Sequence, residues 1–125
     1  MDLGEYFEQT KGRGILATAD ASGKVNMALY SRPHFMDDGT AAFIMAERLT
    51  YENLKTNPRA AYLFMESKEE YSGKRLYLRK VKEEQNEELI NKLRRKRHHL
   101  PPQTQTKHLV YFEVEKVLPL MGSEE

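Results

Sequence analysis

The chain has neither cysteine nor tryptophan among its 125 residues. Without cysteine there is no disulfide framework, no thiolate nucleophile and no thiolate metal site. Proline is sparse, and no apolar run approaches the ~18 residues that a membrane-spanning helix needs, so no membrane association is expected. Charge of one sign is lacking too. Twenty Lys and Arg stand against 19 Asp and Glu, a formal net of +1, whereas nucleic-acid binders carry a much larger basic excess. The segment MDLGEYFEQT carries acids where a secretory leader carries positive charge, so a cytoplasmic location is expected. What is present, 39% hydrophobic and 31% charged residues, is ordinary globular material, and a single domain over residues 1–125 is expected.

Leu3, Tyr6, Phe7 and Thr10 recur at helical spacing behind Asp2, predicting a short amphipathic helix over 2–10 that Gly12 and Gly14 end. Strands over 13–19 (RGILATA) and 25–31 (VNMALYS) flank the turn formers of Asp20 to Gly23. Arg32-Pro33 bends the chain, His34 to Met36 resumes an extended path, and Asp38-Gly39 is a strong hairpin signal. AAFIMA (41–46) is nearly all apolar, which predicts a strand buried on both faces. TYENLKTN (50–57) reads as a helix with Thr50 at its cap and Pro58 as its stop.

RAAYLFM (59–65) and KRLYLRKV (74–81) read as strands joined by the polar turn ESKEEYSG. Charge alone predicts a helix over 82–97. The acids Glu83, Glu84, Glu87 and Glu88 lie in its first turns and Lys92, Arg94, Arg95, Lys96 and Arg97 in its last, which suits the helix dipole. A loop over 98–107 and a closing strand over 108–117 complete the chain. Six strands in short antiparallel hairpins predict a mainly β fold, a closed or nearly closed barrel with short flanking helices, because closure removes exposed edges.

Chemistry concentrates in AFIMAERLTYENLKTNP (42–58), where a buried strand runs into Arg48 and then into a helix opened by Thr50. A guanidinium and a hydroxyl beside unpaired helix amides suit a phosphate. Capped helices are far commoner than phosphate sites, and the residues alone leave both readings open. His34, His98, His99 and His108 lie on separate segments without metal-ligand spacing, so no metal site is expected. Residues 92–97 read as a solvated helix end rather than a nucleic-acid patch. Tyr62, Phe64, Tyr77, Tyr111 and Phe112 fall on strand patterns and read as core or dimer contacts.

Arg48-Leu49-Thr50, then Glu52-Asn53-Leu54 and Asn57-Pro58, then RAAYLF, in that order, resemble the pyridoxamine-phosphate-oxidase-like flavoproteins with the FMN-binding split barrel. GILATADASGKVNMALYS resembles the opening hairpin of that family, and HLVYFEVEKVLPLMG its last strand and tail. The resemblance spans residues 12–122 and implies a six-stranded antiparallel split β-barrel, FMN as cofactor, and a homodimer holding it at the subunit interface. It places the phosphate on Arg48, Leu49 and Thr50, and the ring and ribityl chain along Phe43, Ile44 and Met45. Asn26, Met27, Ala28 and Leu29 meet the polar edge of the ring, with Ser31 at the far end. The oxidases proper have two cations in the triplet; here Arg48 is the one, and Arg32 is the candidate for the second. Their C-terminal tryptophan-and-arginine elements, which hold the pyridoxal substrate, have no counterpart. The resemblance therefore implies a flavin-dependent oxidoreductase of unknown substrate, with an FMN carrier or electron-transfer module as the alternative and a nucleic-acid or partner-binding protein behind both. Related split barrels bind haem or deazaflavin. The turn holding Tyr71 and Lys74 is a further element that the resemblance brings near the cofactor of the other subunit.

Overall fold

Two aspartates organise the first hairpins. In the computed structural model, which describes residues 2–97 and 106–122, one Asp20 carboxylate oxygen accepts from the Ser22 and Lys24 amides, both at 2.9 Å, and from the Ser22 hydroxyl at 2.8 Å. Gly23 then takes φ +91°, a conformation that glycine adopts without steric cost. Asp38 does the same for Thr40, whose amide and hydroxyl it accepts at 3.0 and 2.7 Å, with Gly39 at φ +86°.

The elements in order are α1 (Leu3–Gln9), β1 (Gly12–Ala19), β2 (Val25–Leu29), β3 (His34–Phe35), β4 (Ala41–Ala46), α2 (Leu49–Thr56), β5 (Arg59–Glu66), β6 (Gly73–Glu84), α3 (Glu87–Lys96) and β7 (Lys107–Pro119). All strands join one antiparallel sheet in the order β2-β1-β5-β6-β7-β4-β3. Seven strands replace the expected six, because two-residue β3 pairs with β4 before the Asp38 turn. The sheet curls until Tyr30, just past β2, packs edge-on against Phe43 of β4, with ring centroids 6.0 Å apart. No ladder joins β2 to β4 among the described residues, so the barrel stays split between them.

Phe43 lies at the centre of the barrel, edge-on to Tyr62 and Phe112 at 5.1 and 5.6 Å, with Leu16, Phe64, Leu76 and Leu78 around it. Phe7 of α1 plugs one end and is fully buried. On the other side of β4, Ala42 and Ile44 pack beneath Ile90 and Leu93 of α3. Both faces of β4 are therefore covered, as its apolar run implies. Gly14 does not serve as a helix breaker but lies within β1. A Cβ there would come within 1.9 Å of the Tyr62 hydroxyl, so its role is to let that ring cross the strand.

The expected helix over 82–97 divides. Residues up to Glu84 extend β6, and α3 begins only at Glu87, with the Asn86 side chain accepting from the Leu89 amide at 3.0 Å. Acids suit a helix start, but here the Glu83 and Glu84 carboxylates accept from the Tyr51 and Tyr111 hydroxyls while β6 pairs with β7 as far as Glu84. The helix end is not simply solvated either. Arg94 is buried, and the Arg97 guanidinium donates to the Arg32 and Pro33 carbonyls. Tyr62, Phe64, Tyr111 and Phe112 are buried, whereas Tyr77 is 42% exposed on the outer face of the sheet. His98, His99 and the following residues to 105 lie outside the described residues.

Candidate functional site

The split between β2 and β4 is a groove of about 470 Å³. Residues 26–31 form one wall, Ile44 and Ala46 the other, and Arg48, Leu49, Thr50 and Lys107 its end. The wall alternates because β2 does: Asn26 and Ala28 are half-buried, while Val25, Met27 and Leu29 are 77, 72 and 77% exposed.

Thr50 was expected to cap α2, but the helix begins one residue earlier, with Arg48 at the N-cap position and making no side-chain capping bond. The Thr50 side chain turns into the split instead. Its hydroxyl accepts from the Asn26 amide at 3.3 Å and bonds the Tyr30 hydroxyl, tying the edge strand to the helix. Burial raises the Tyr30 phenol, and the Thr50 bond and the field of Arg48 partly offset it. The first amides of α2 have no intrahelical acceptors and lie beside this cluster.

Beneath the strand-to-helix corner, His108 Nε2 contacts the Glu47 carboxylate at 2.7 Å, and Nδ1 lies 3.4 Å from both Glu83 and the Tyr51 hydroxyl. Tyr51 stacks on the imidazole at 4.4 Å. Burial and the Glu83 carboxylate push the Tyr51 phenol up to about 12, and Lys80 and Tyr51 hold Glu83 below the usual carboxylate range against its own desolvation. This network fixes the residue before Arg48.

Of the residues that the resemblance placed on the site, Asn26, Met27, Ala28, Leu29, Ser31, Ile44, Arg48, Leu49 and Thr50 line the groove. Three do not. Phe43 and Met45 face the barrel core, since strand alternation turns them away from the groove that Ile44 and Ala46 line. Arg32 is not the second cation: its guanidinium donates to the Phe7 and Thr10 carbonyls at 2.8 and 2.9 Å, closing the C-terminus of α1. Sequence reasoning missed Tyr30, Ala46 and Lys107. Lys107 carries no local motif, and only the β4–β7 register, Ala46 opposite Lys107, brings it there. Tyr71 is exposed at the β5–β6 turn with φ +61°, and the Lys74 ammonium sits 4.6 Å from the Tyr6 ring centroid.

The described lining residues include two cations, several hydroxyl and amide groups and an apolar strand, and among them are no carboxylate and no imidazole. That set has the chemistry to suit an anion at one end and a flat or apolar body along the wall. Fold and groove define a split β-barrel with a groove that is cationic at one end.

Known structures share that fold. An FMN-binding protein from Syntrophomonas wolfei subsp. wolfei superposes with a TM-score of 0.72 at 21% identity, over 97% of this chain and 85% of that one. An F420 reductase gives 0.71 at 17% identity, over 94% and 97%. A putative pyridoxamine 5'-phosphate oxidase from Lactobacillus delbrueckii gives 0.68 at 14%, over 94% and 92%. No family model and no curated protein matches the chain in sequence. The chain therefore has the split-barrel fold of the pyridoxamine-phosphate-oxidase-like proteins. No helix among the described residues is long and apolar enough to cross a membrane.

Proposed function

We propose that this chain is an FMN-binding flavoprotein, a flavin-dependent oxidoreductase that works as a homodimer. The groove carries the reading. It lies at the split of a fold shared with an FMN-binding protein, has Arg48 at its closed end and offers a wall of strand backbone and small side chains along its length. Arg48 and the α2 amides hold the phosphate; Asn26, Ser31 and the β2 backbone meet the polar parts of the flavin, and Ala28 and Ile44 line its apolar body. FMN, when bound, supplies the hydride and electron chemistry, and the protein orients and shields it. A lining that has no carboxylate or imidazole among the described residues suits that division of labour.

The outer face of the sheet supports the dimer. Val25, Met27 and Leu29 on edge strand β2 are directly opposite Ala19, Ala17 and Ile15 of β1, and Ile15 and Ala17 are opposite Leu63 and Ala61 of β5. A continuous apolar face that ends on an open edge strand is an aggregation hazard unless it is covered. A second copy of the chain covers it and closes the open side of the groove.

The test is the absorption spectrum of the purified protein, followed by fluorescence titration of FMN and riboflavin. A bound flavin spectrum and FMN affinity about tenfold to a hundredfold above that of riboflavin are expected, the scale of a charge-assisted hydrogen bond. Arg48→Ala should abolish most of that difference. Equal affinity for the two flavins overturns the phosphate assignment, and a deazaflavin or haem spectrum overturns FMN. Turnover of reduced nicotinamide with an electron acceptor separates an enzyme from a carrier.

A further inference from the structure

Away from the groove, α3 packs over Ala42, Leu109 and Tyr111 and leaves a cleft of about 510 Å³ between itself and the β3–β4 turn. None of its lining residues lines the groove. Sheet register sets its floor: Tyr111 of β7 stands opposite Ala42 of β4 on one side and Lys82 of β6 on the other. The helix contributes Leu89, Lys92, Leu93 and Lys96, which at spacings of three and four residues share one face. Leu93 and Tyr111 are buried, and half-buried Met36 and Leu89 complete the apolar lining.

The lysines of this cleft are poorly neutralised. Among the described residues Lys92 has no acid partner, although Glu88 stands one turn before it. Lys96 reaches only Glu8, at 3.9 Å, and the Lys82 ammonium rests 4.6 Å from the Tyr111 ring centroid. The acids at the turn end do not take up the helix charges. Asp38 lies in the field of Lys82 and is held by the Thr40 amide and hydroxyl, and Asp37 is exposed and pairs with no lysine among the described residues.

An apolar floor with a few converging charges, in a volume within the range of small-molecule pockets, is the make-up of a ligand site. Lys92 and Lys96, one turn apart, repel each other, and an anion between them removes that repulsion. The Met36 thioether adapts to a flat ring, and methionine sulfur is attracted to aromatic edges. We propose that this cleft is a ligand site, separate from the groove, for a small planar organic anion. The flat body of the ligand lies on Met36, Leu89 and Leu93, and its anionic group meets Lys92 and Lys96. Asp37 and Asp38 repel that group from the turn end and so fix the orientation. The proposal does not depend on the reading of the groove as a flavin site.

The probes are the aromatic carboxylate 2-naphthoate and its uncharged isostere 2-naphthamide, titrated into the protein as purified and followed by backbone amide NMR shifts. Naphthoate should shift the amides of Met36, Lys82, Leu89 and Lys92 and leave those of residues 26–31 in place. It should bind about tenfold more tightly than naphthamide, the scale of two partly exposed ion pairs. Added salt should weaken naphthoate and leave naphthamide unchanged. The double variant Lys92→Gln, Lys96→Gln should bind the two compounds equally, and exposed Lys92→Gln alone should lose part of the preference with its other amide shifts unaltered. Shifts confined to the groove, equal binding of the two compounds by the wild type, or an undiminished preference in both variants would each overturn the proposal, as would the absence of any shift.

Discussion

Asn53 of α2 donates its side-chain amide to the Thr18 hydroxyl of β1 at 3.1 Å, with both residues almost wholly buried. The bond fastens the helix to the strand that pairs with β2. Asn53→Leu should cost about 1–3 kcal/mol, because the Thr18 hydroxyl is left buried without its partner. Urea unfolding measures this. Adding Thr18→Val should recover part of the loss, since the pair is then apolar on both sides, and strict additivity of the two losses would contradict the pairing.

Met27 tests the dimer face. Light scattering on the wild type should give about twice the 14.6 kDa chain mass. Met27→Glu places a charge at the centre of the exposed β2 stripe, where burial in an interface would desolvate it, so the variant should be monomeric and should hold flavin weakly. A dimeric Met27→Glu protein would place the interface elsewhere.

His34 on β3 makes stability depend on pH. Burial first, and then the positive charge of Arg97, lower its imidazole to about 4 from the usual 6.5. Among the described residues its Nδ1 has no hydrogen-bond partner. The unfolded chain takes up this proton near 6.5, whereas the folded chain resists until about 4. The contribution is thus present above pH 6.5, declines as pH falls toward 4 and is constant below. Its size is on the order of 2–3 kcal/mol. Urea midpoints of the wild type and His34→Gln between pH 7 and 4.5 should diverge in slope, with the wild type losing more. Parallel profiles would show that His34 titrates normally.

Neighbouring arginines at the end of α3 should behave differently. The Arg97 guanidinium donates to the Arg32 and Pro33 carbonyls, each at 3.2 Å, and pairs with Glu8 at 3.0 Å; its side chain is 7% exposed. Arg95 is exposed. Arg97→Gln should cost about 2–4 kcal/mol, whereas Arg95→Gln should stay within about 0.5 kcal/mol. Chemical denaturation of the two variants compares them directly, and comparable losses would mean that the Arg97 bonds contribute little.

Much of the architecture was legible in the chain because it is set by neighbours in sequence. Asp20 and Asp38 place the turns through bonds to residues two to four positions on, and the Asn57-Pro58 stop ends α2. The apolar run 41–46 announces a strand covered on both faces, and the Arg48–Pro58 segment marks the closed end of the groove. Four outcomes depended on distant partners. Arg32 leaves the groove because two carbonyls of α1 are within reach, and Phe43 and Met45 turn inward because the strand alternates around Ile44. Glu83 and Glu84 stay in β6 because tyrosines from α2 and β7 meet them there. Lys107 reaches the cationic end through a ladder between β4 and β7, whose partners are some sixty residues apart. Local patterns encode turns, caps and periodicity, since these act over a few residues. Which cations converge on one groove is decided by sheet register, which exists only once the barrel has formed.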